Sequence, residues 1–137
     1  MNNSPIGVYD SGFGGLSVWR EIHRRLPEES LLYLGDGKNC PYGGRSREEI
    51  SAFAREAVER LISEGVKMVV VGCNTATTAA VDTLRAEWPD IPIVGLEPAV
   101  KPACLSSRTR RIAVLATAHS LQSDMFLNTA RRYAADV

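Results

Sequence analysis

Val69-Val70-Val71-Gly72-Cys73-Asn74-Thr75-Ala76-Thr77 is the stretch that decides the fold. A β-branched apolar run ending in glycine reads as a buried strand. The polar residues after it open a helix that turns Ala80, Val81, Leu84 and Trp88 inward and is ended by Pro89. Asn74 and Thr75 are natural caps for that helix, and they can equally hold a substrate carboxylate or amine beside Cys73. A cysteine delivered by a strand to a helix N-terminus is rigidly held, and the helix amides and dipole favour a thiolate there. A small buried core cysteine is the competing reading.

The same alternation recurs along the chain. Candidate strands cover residues 6–9, 31–35, 67–71, 93–95 and 112–116. The clearest helix spans 47–63, where Ile50, Phe53, Ala54, Ala57, Val58, Leu61 and Ile62 form one wide apolar stripe. Ser46 with Glu49 makes a capping box at its start, and Gly65 closes it. An earlier helix begins near Gly15, turns Leu16, Trp19, Ile22 and Leu26 inward, and is stopped by Pro27. A last helix runs from about residue 119, and the chain is expected to stop in or just after it at Asp136-Val137. Strands alternating with long helices imply βαβ units, hence an α/β fold with a mainly parallel sheet and right-handed crossovers.

Ligands of such sheets sit beyond the carboxyl ends of the strands. The residues there are Asp10-Ser11, Asp36, Cys73-Asn74-Thr75, Glu97 and Thr117, all polar and chemically capable. Asp10-Ser11-Gly12-Phe13-Gly14-Gly15 is a glycine-rich turn that either cradles an anion or simply caps the first helix. It lacks the Gly-Lys-Ser/Thr ending of a P-loop and the spacing of a dinucleotide fingerprint. The loop Asp36-Gly37-Lys38-Asn39-Cys40-Pro41-Tyr42-Gly43-Gly44 pins a tyrosine between proline and glycine.

Composition bounds the rest. The 137 residues suffice for a real core, with 45% hydrophobic and 23% charged residues as in ordinary globular proteins. Zero formal net charge gives no field for nucleic acid, and Arg108, Arg110 and Arg111 read as a solvated face or strand edge. No apolar run reaches membrane-spanning length, and the first residues lack a secretory pattern. The cysteines at 40, 73 and 104 fit neither a disulfide framework nor a zinc site, so a reducing, cytoplasmic setting is expected and no metal. Cys40 and Cys104 read as non-catalytic, His23 as exposed, and His119 as a cap or loop residue as readily as a catalytic one.

Five segments taken together, DSGFGGLSV from residue 10, GD-x4-PYG from 35, VVVGCNTATT from 69, EPAVKPA from 97 and IAVLAT from 112, resemble glutamate racemases of the cofactor-independent aspartate/glutamate racemase superfamily. The resemblance implies a flavodoxin-like three-layer sandwich, the first domain of a two-domain, pseudo-symmetric enzyme. Residues 1–97 would form that domain, and 98–137 would begin the second. It implies an isomerase that needs no pyridoxal phosphate or other cofactor and supplies D-glutamate for peptidoglycan. Two cysteines would flank the substrate α-carbon, one removing the proton and the other returning one to the opposite face. By motif, Cys73 is the first of these, facing D-glutamate, with Asp10 and Ser11 on the substrate amine and supporting the thiol. Pro41, Tyr42 and Gly43 would line the pocket, the Tyr42 and Gly43 amides near a carboxylate, while Asn74, Thr75, Thr117 and Ser120 would bind the α-carboxylate and amino groups. The family's second motif, Gly-Cys-Thr-His, does not occur in these residues, and Cys104 lacks its context. Ala118-His119-Ser120 also departs from the family pattern, with Ser120 able to replace a threonine hydroxyl. On this reading the chain alone is weakly active or inactive. Alternatives are a racemase of aspartate or another amino acid, a non-catalytic half that binds an amino acid or a protein, and a homodimer rebuilding a site in trans.

Overall fold

A computed structural model describes residues 3–134. Four strands, β1 (Ile6–Asp10), β2 (Leu31–Gly35), β3 (Met68–Val71) and β4 (Ile93–Gly95), form one sheet in the order β2-β1-β3-β4. Every pairing is parallel, with Ile6 opposite both Leu31 and Met68, and Val69 opposite Ile93. The crossovers are α1 (Leu16–Arg25), α2 (Arg47–Ser63) and α3 (Asn74–Glu87).

Side chains alternate across the strands, so consecutive residues feed opposite faces. Ile6, Val8 and Val70 pack under Val18, Trp19 and Ile22 of α1 on one face. Tyr9, Val69 and Val71 point to the other, against Ile50, Ala54, Val58 and Leu61 of α2 and Ala80, Val81 and Leu84 of α3. This is the expected three-layer α/β sandwich. Burying Val58 or Leu61, at 0% and 1% exposure, contributes about 1.5–3 kcal/mol each. The capping box of α2 forms as read, with Glu49 N–H donating to Ser46 Oγ at 3.1 Å and Ser46 N–H to Glu49 at 2.9 Å. Gly65, just past that helix, has φ +79°, a conformation that glycine adopts without strain.

Three expectations need correction. Residues 112–116 are not a strand: Ile112 and Val114 are half-buried and Leu115 exposed, but among the described residues no strand pairs with them. Strand-forming side chains do not make a strand without a ladder partner. Leu16 and Leu26 are exposed rather than inward, because α1 meets the sheet through Val18, Trp19 and Ile22, and these leucines lie about a turn beyond that contact. The last helical region is two helices, α5 (Ala118–Gln122) and α6 (Asp124–Tyr133), because Ser123 starts a new cap, its Oγ accepting from Phe126 N–H at 3.2 Å. They follow a short α4 (Val100–Ser106). The expected end of the chain at Asp136-Val137 lies outside the described residues. No helix among the described residues is long and apolar enough to cross a membrane.

Candidate active site

The parallel strands deliver Asp10 and Cys73 to neighbouring carboxyl ends, because β1 and β3 are adjacent in register, Tyr9 opposite Val71. The strand order turns about these two strands, the place where ligands of such sheets bind. Cys73 is 6% exposed, and its thiol donates to Ser11 Oγ at 3.4 Å. Its sulfur also accepts from Ala76 N–H at 3.4 Å, so the N-cap of α3 is Cys73 itself. Asn74 and Thr75, natural caps by sequence, lie instead inside the first turn, Asn74 exposed and Thr75 buried. The sulfur therefore sits at the positive end of a 14-residue helix.

Asp10 is buried and folds back on its own turn, accepting from Gly12 N–H at 3.1 Å. The turn stays close because Gly15 has no side chain: a Cβ there would stand 2.7 Å from Asp10 Cβ. Opposite, Thr117 Oγ1 lies 3.1 Å from Thr75 Oγ1 and 3.1 Å from Ser120 Oγ, and accepts from Ser120 N–H at 3.3 Å. Three hydroxyls from α3 and the start of α5 thus meet, with Ser120 1% exposed. His119 is half-buried on α5. Gly43 packs against Thr117, since a Cβ at 43 would come within 3.1 Å of the threonine methyl.

The structure thus joins Cys73 with Ser11, and Thr75 with Thr117, Ser120 and Gly43. It does not open the Tyr42 phenol to this site. Tyr42 is 2% exposed, donates to Asp36 at 2.6 Å and lies 2.7 Å from the Tyr9 hydroxyl. Burial raises the pKa of both phenols, and the bond to Asp36 raises that of Tyr42 further. Tyr33, which donates to Gly12 O at 2.8 Å, is pushed up to about 12, chiefly by burial and then by the Asp10 charge. In the sequence Tyr9 and Tyr33 read only as strand residues and Asp36 as one strand-end acid among several. The one available signal was that Asp36 immediately follows the second strand.

Cys40 is exposed, while Cys104 is buried on α4. A separate groove of about 540 Å³ runs between β2 and α2, lined by Leu32, Leu34, Phe53 and Arg60 among others, and does not include Cys73.

Fold and site together define a flavodoxin-like α/β domain with a thiol and a hydroxyl cluster at the carboxyl end of its sheet. A family model described as Asp/Glu/Hydantoin racemase matches residues 6–137, and the chain belongs to that family. It is 51% identical over 134 residues to a glutamate racemase of Stutzerimonas stutzeri, covering 98% of this chain and 51% of that protein. A solved structure of glutamate racemase from Aquifex pyrophilus superimposes with a TM-score of 0.87 at 37% identity, over 97% of this chain and 53% of that one. The crystal structure of Escherichia coli glutamate racemase in complex with L-glutamate and the activator UDP-MurNAc-ala gives 0.89 at 32% identity, over 97% and 50%. The chain spans about half the length of the relatives it matches.

Proposed function

We propose that this chain is the Cys73-bearing part of a cytoplasmic glutamate racemase, interconverting L- and D-glutamate without a cofactor and supplying D-glutamate for peptidoglycan. The observation that carries the reading is Cys73 at the end of β3, hydrogen-bonded to Ser11 and to the first turn of α3. A carbon acid needs a base beside the α-carbon and donors where negative charge collects on the carboxylate. Cys73 as thiolate takes the α-proton of D-glutamate, and the C–H electron pair moves into the carboxylate. The hydroxyls of Thr75, Thr117 and Ser120, the Asn74 side chain and the Tyr42 and Gly43 amides hold that carboxylate and the amino group against the pocket wall of Pro41. Asp10 and Ser11 face the amine and steady the thiol. A second thiol, from the portion of the relatives that lies beyond this alignment, protonates the opposite face and inverts the centre. In this reading residues 1–97 form one domain of the enzyme and 98–137 lead into the other.

The test is proton NMR of the chain in D₂O with D-glutamate, L-glutamate and aspartate in turn. Loss of the α-proton signal with D-glutamate is the expected result. Cys73→Ser should slow it by about 10²–10⁴-fold, the usual weight of a positioned base, whereas Cys104→Ser should leave it within about twofold. Exchange that survives Cys73→Ser, or that disappears in Cys104→Ser, refutes the assignment, and preferential exchange of aspartate refutes glutamate as substrate.

A further inference from the structure

Beneath the loop of residues 36–44 runs a hydrogen-bonded chain that the proposed reaction does not use directly. Tyr42 has one phenolic proton, and it goes to Asp36 Oδ2 at 2.6 Å. The 2.7 Å contact with Tyr9 must therefore be made by the Tyr9 proton, so the direction is Tyr9 to Tyr42 to Asp36. Asp36 is held at the far end by the Asn39 amide, 3.1 and 3.0 Å from its two oxygens, and its backbone N–H donates to Asp10 O at 2.9 Å. Tyr9 is fully buried in β1, one residue before Asp10. Burial keeps both phenols protonated, which preserves this direction. The chain therefore ties a rigid central strand to a loop that has no ladder of its own. The loop's other end reaches the site, where Gly43 lies against Thr117.

We propose that Tyr9 and Asp36 are positioning residues that act through the Tyr42 phenol to set where the Tyr42-Gly43 backbone stands beside Thr117, and thereby how tightly the site holds a substrate carboxylate. The second half of this statement rests on the racemase reading above; the first does not. Tyr9 and Asp36 touch no substrate. Tyr9 and Tyr42 are buried and Asp36 and Asn39 half-buried; a network whose members are all hydrogen-bonded in this way specifies one loop conformation, whereas a loop without it samples several.

The experiment compares wild type with Tyr9→Phe, Asp36→Asn and the packing control Ile22→Ala by ¹⁵N NMR and D-glutamate titration. Expected in wild type are slowly exchanging downfield hydroxyl protons, lost or shifted upfield in both relay variants. The Gly43 and Gly44 amide signals should move or broaden in Tyr9→Phe and Asp36→Asn but not in Ile22→Ala, which weakens the packing of α1 on the other face of the sheet, away from Tyr9 and Tyr42. The D-glutamate dissociation constant should rise about tenfold in the relay variants and stay within about twofold in the control. Unmoved Gly43 and Gly44 signals overturn the positioning role, whether or not glutamate binds. Moved signals with an unchanged dissociation constant overturn the link to carboxylate binding. Wild type that binds no D-glutamate defeats that link and counts against the racemase reading of this chain, while the amide shifts still decide the positioning of the loop.

Discussion

Replacing Thr117 by valine keeps its shape and removes one oxygen on which three contacts converge. Thr117 Oγ1 accepts from Ser120 N–H, capping α5, and pairs with the hydroxyls of Thr75 and Ser120. Loss of a cap costs about 1 kcal/mol. The two remaining hydroxyls are 6% and 1% exposed, so water does not readily replace the missing partner. Leaving a buried hydroxyl unsatisfied costs about 1–3 kcal/mol. If Thr75 and Ser120 partly re-pair with each other, the total for Thr117→Val is about 2–3 kcal/mol. Thr117→Ser retains the oxygen and loses one methyl over Gly43, which limits its cost to about 0.8 kcal/mol. Urea unfolding followed by circular dichroism separates the two. With a slope of about 2 kcal/mol per molar, the midpoint should fall by about 1–1.5 M for valine and by less than about 0.5 M for serine. Valine and serine variants with the same midpoint would refute the hydroxyl cluster as a source of stability.

Alkaline pH should destabilise the fold. Tyr33 titrates near 12 when folded against an ordinary value of 10, so its contribution is fully present below pH 10 and is lost as the pH rises through about 12; Tyr9 and Tyr42 shift in the same direction. Tyrosinate absorbance near 295 nm (about the usual tyrosinate band) should therefore include a step that coincides with loss of helical ellipticity, and full ionisation of all four tyrosines with ellipticity intact would contradict it. Gly15→Ala should cost about 1–3 kcal/mol by overpacking, because its Cβ would meet Asp10 Cβ at 2.7 Å and Tyr33 Oη at 3.2 Å. Gly37→Ala, where a Cβ meets nothing within 4 Å, is its control and should change the urea midpoint little.

Sequence periodicity was enough for the four strands, the helices between them and the parallel three-layer arrangement, because each is written locally. The apolar run of 6–9, the stripe of 47–63 and the Ser46–Glu49 box depend on near neighbours only. The strand-end rule likewise puts Cys73, Ser11 and Asp10 at one end of the sheet, whereas Thr117, expected there from a strand over 112–116 that does not form, comes to it through its contact with Thr75. Only the tertiary structure decided which of these touch. Cys73 and Ser11 meet across 62 residues, and Thr75 and Thr117 across 42, distances over which sequence carries no register. It also decided that Cys73 caps its own helix, that the Tyr42 phenol is turned inward to Asp36 and Tyr9, and that among the described residues no strand pairs with 112–116. The reason is common to all three: propensity and pattern describe what a residue can do, whereas a hydrogen-bond partner or a ladder neighbour exists only when another part of the chain arrives beside it.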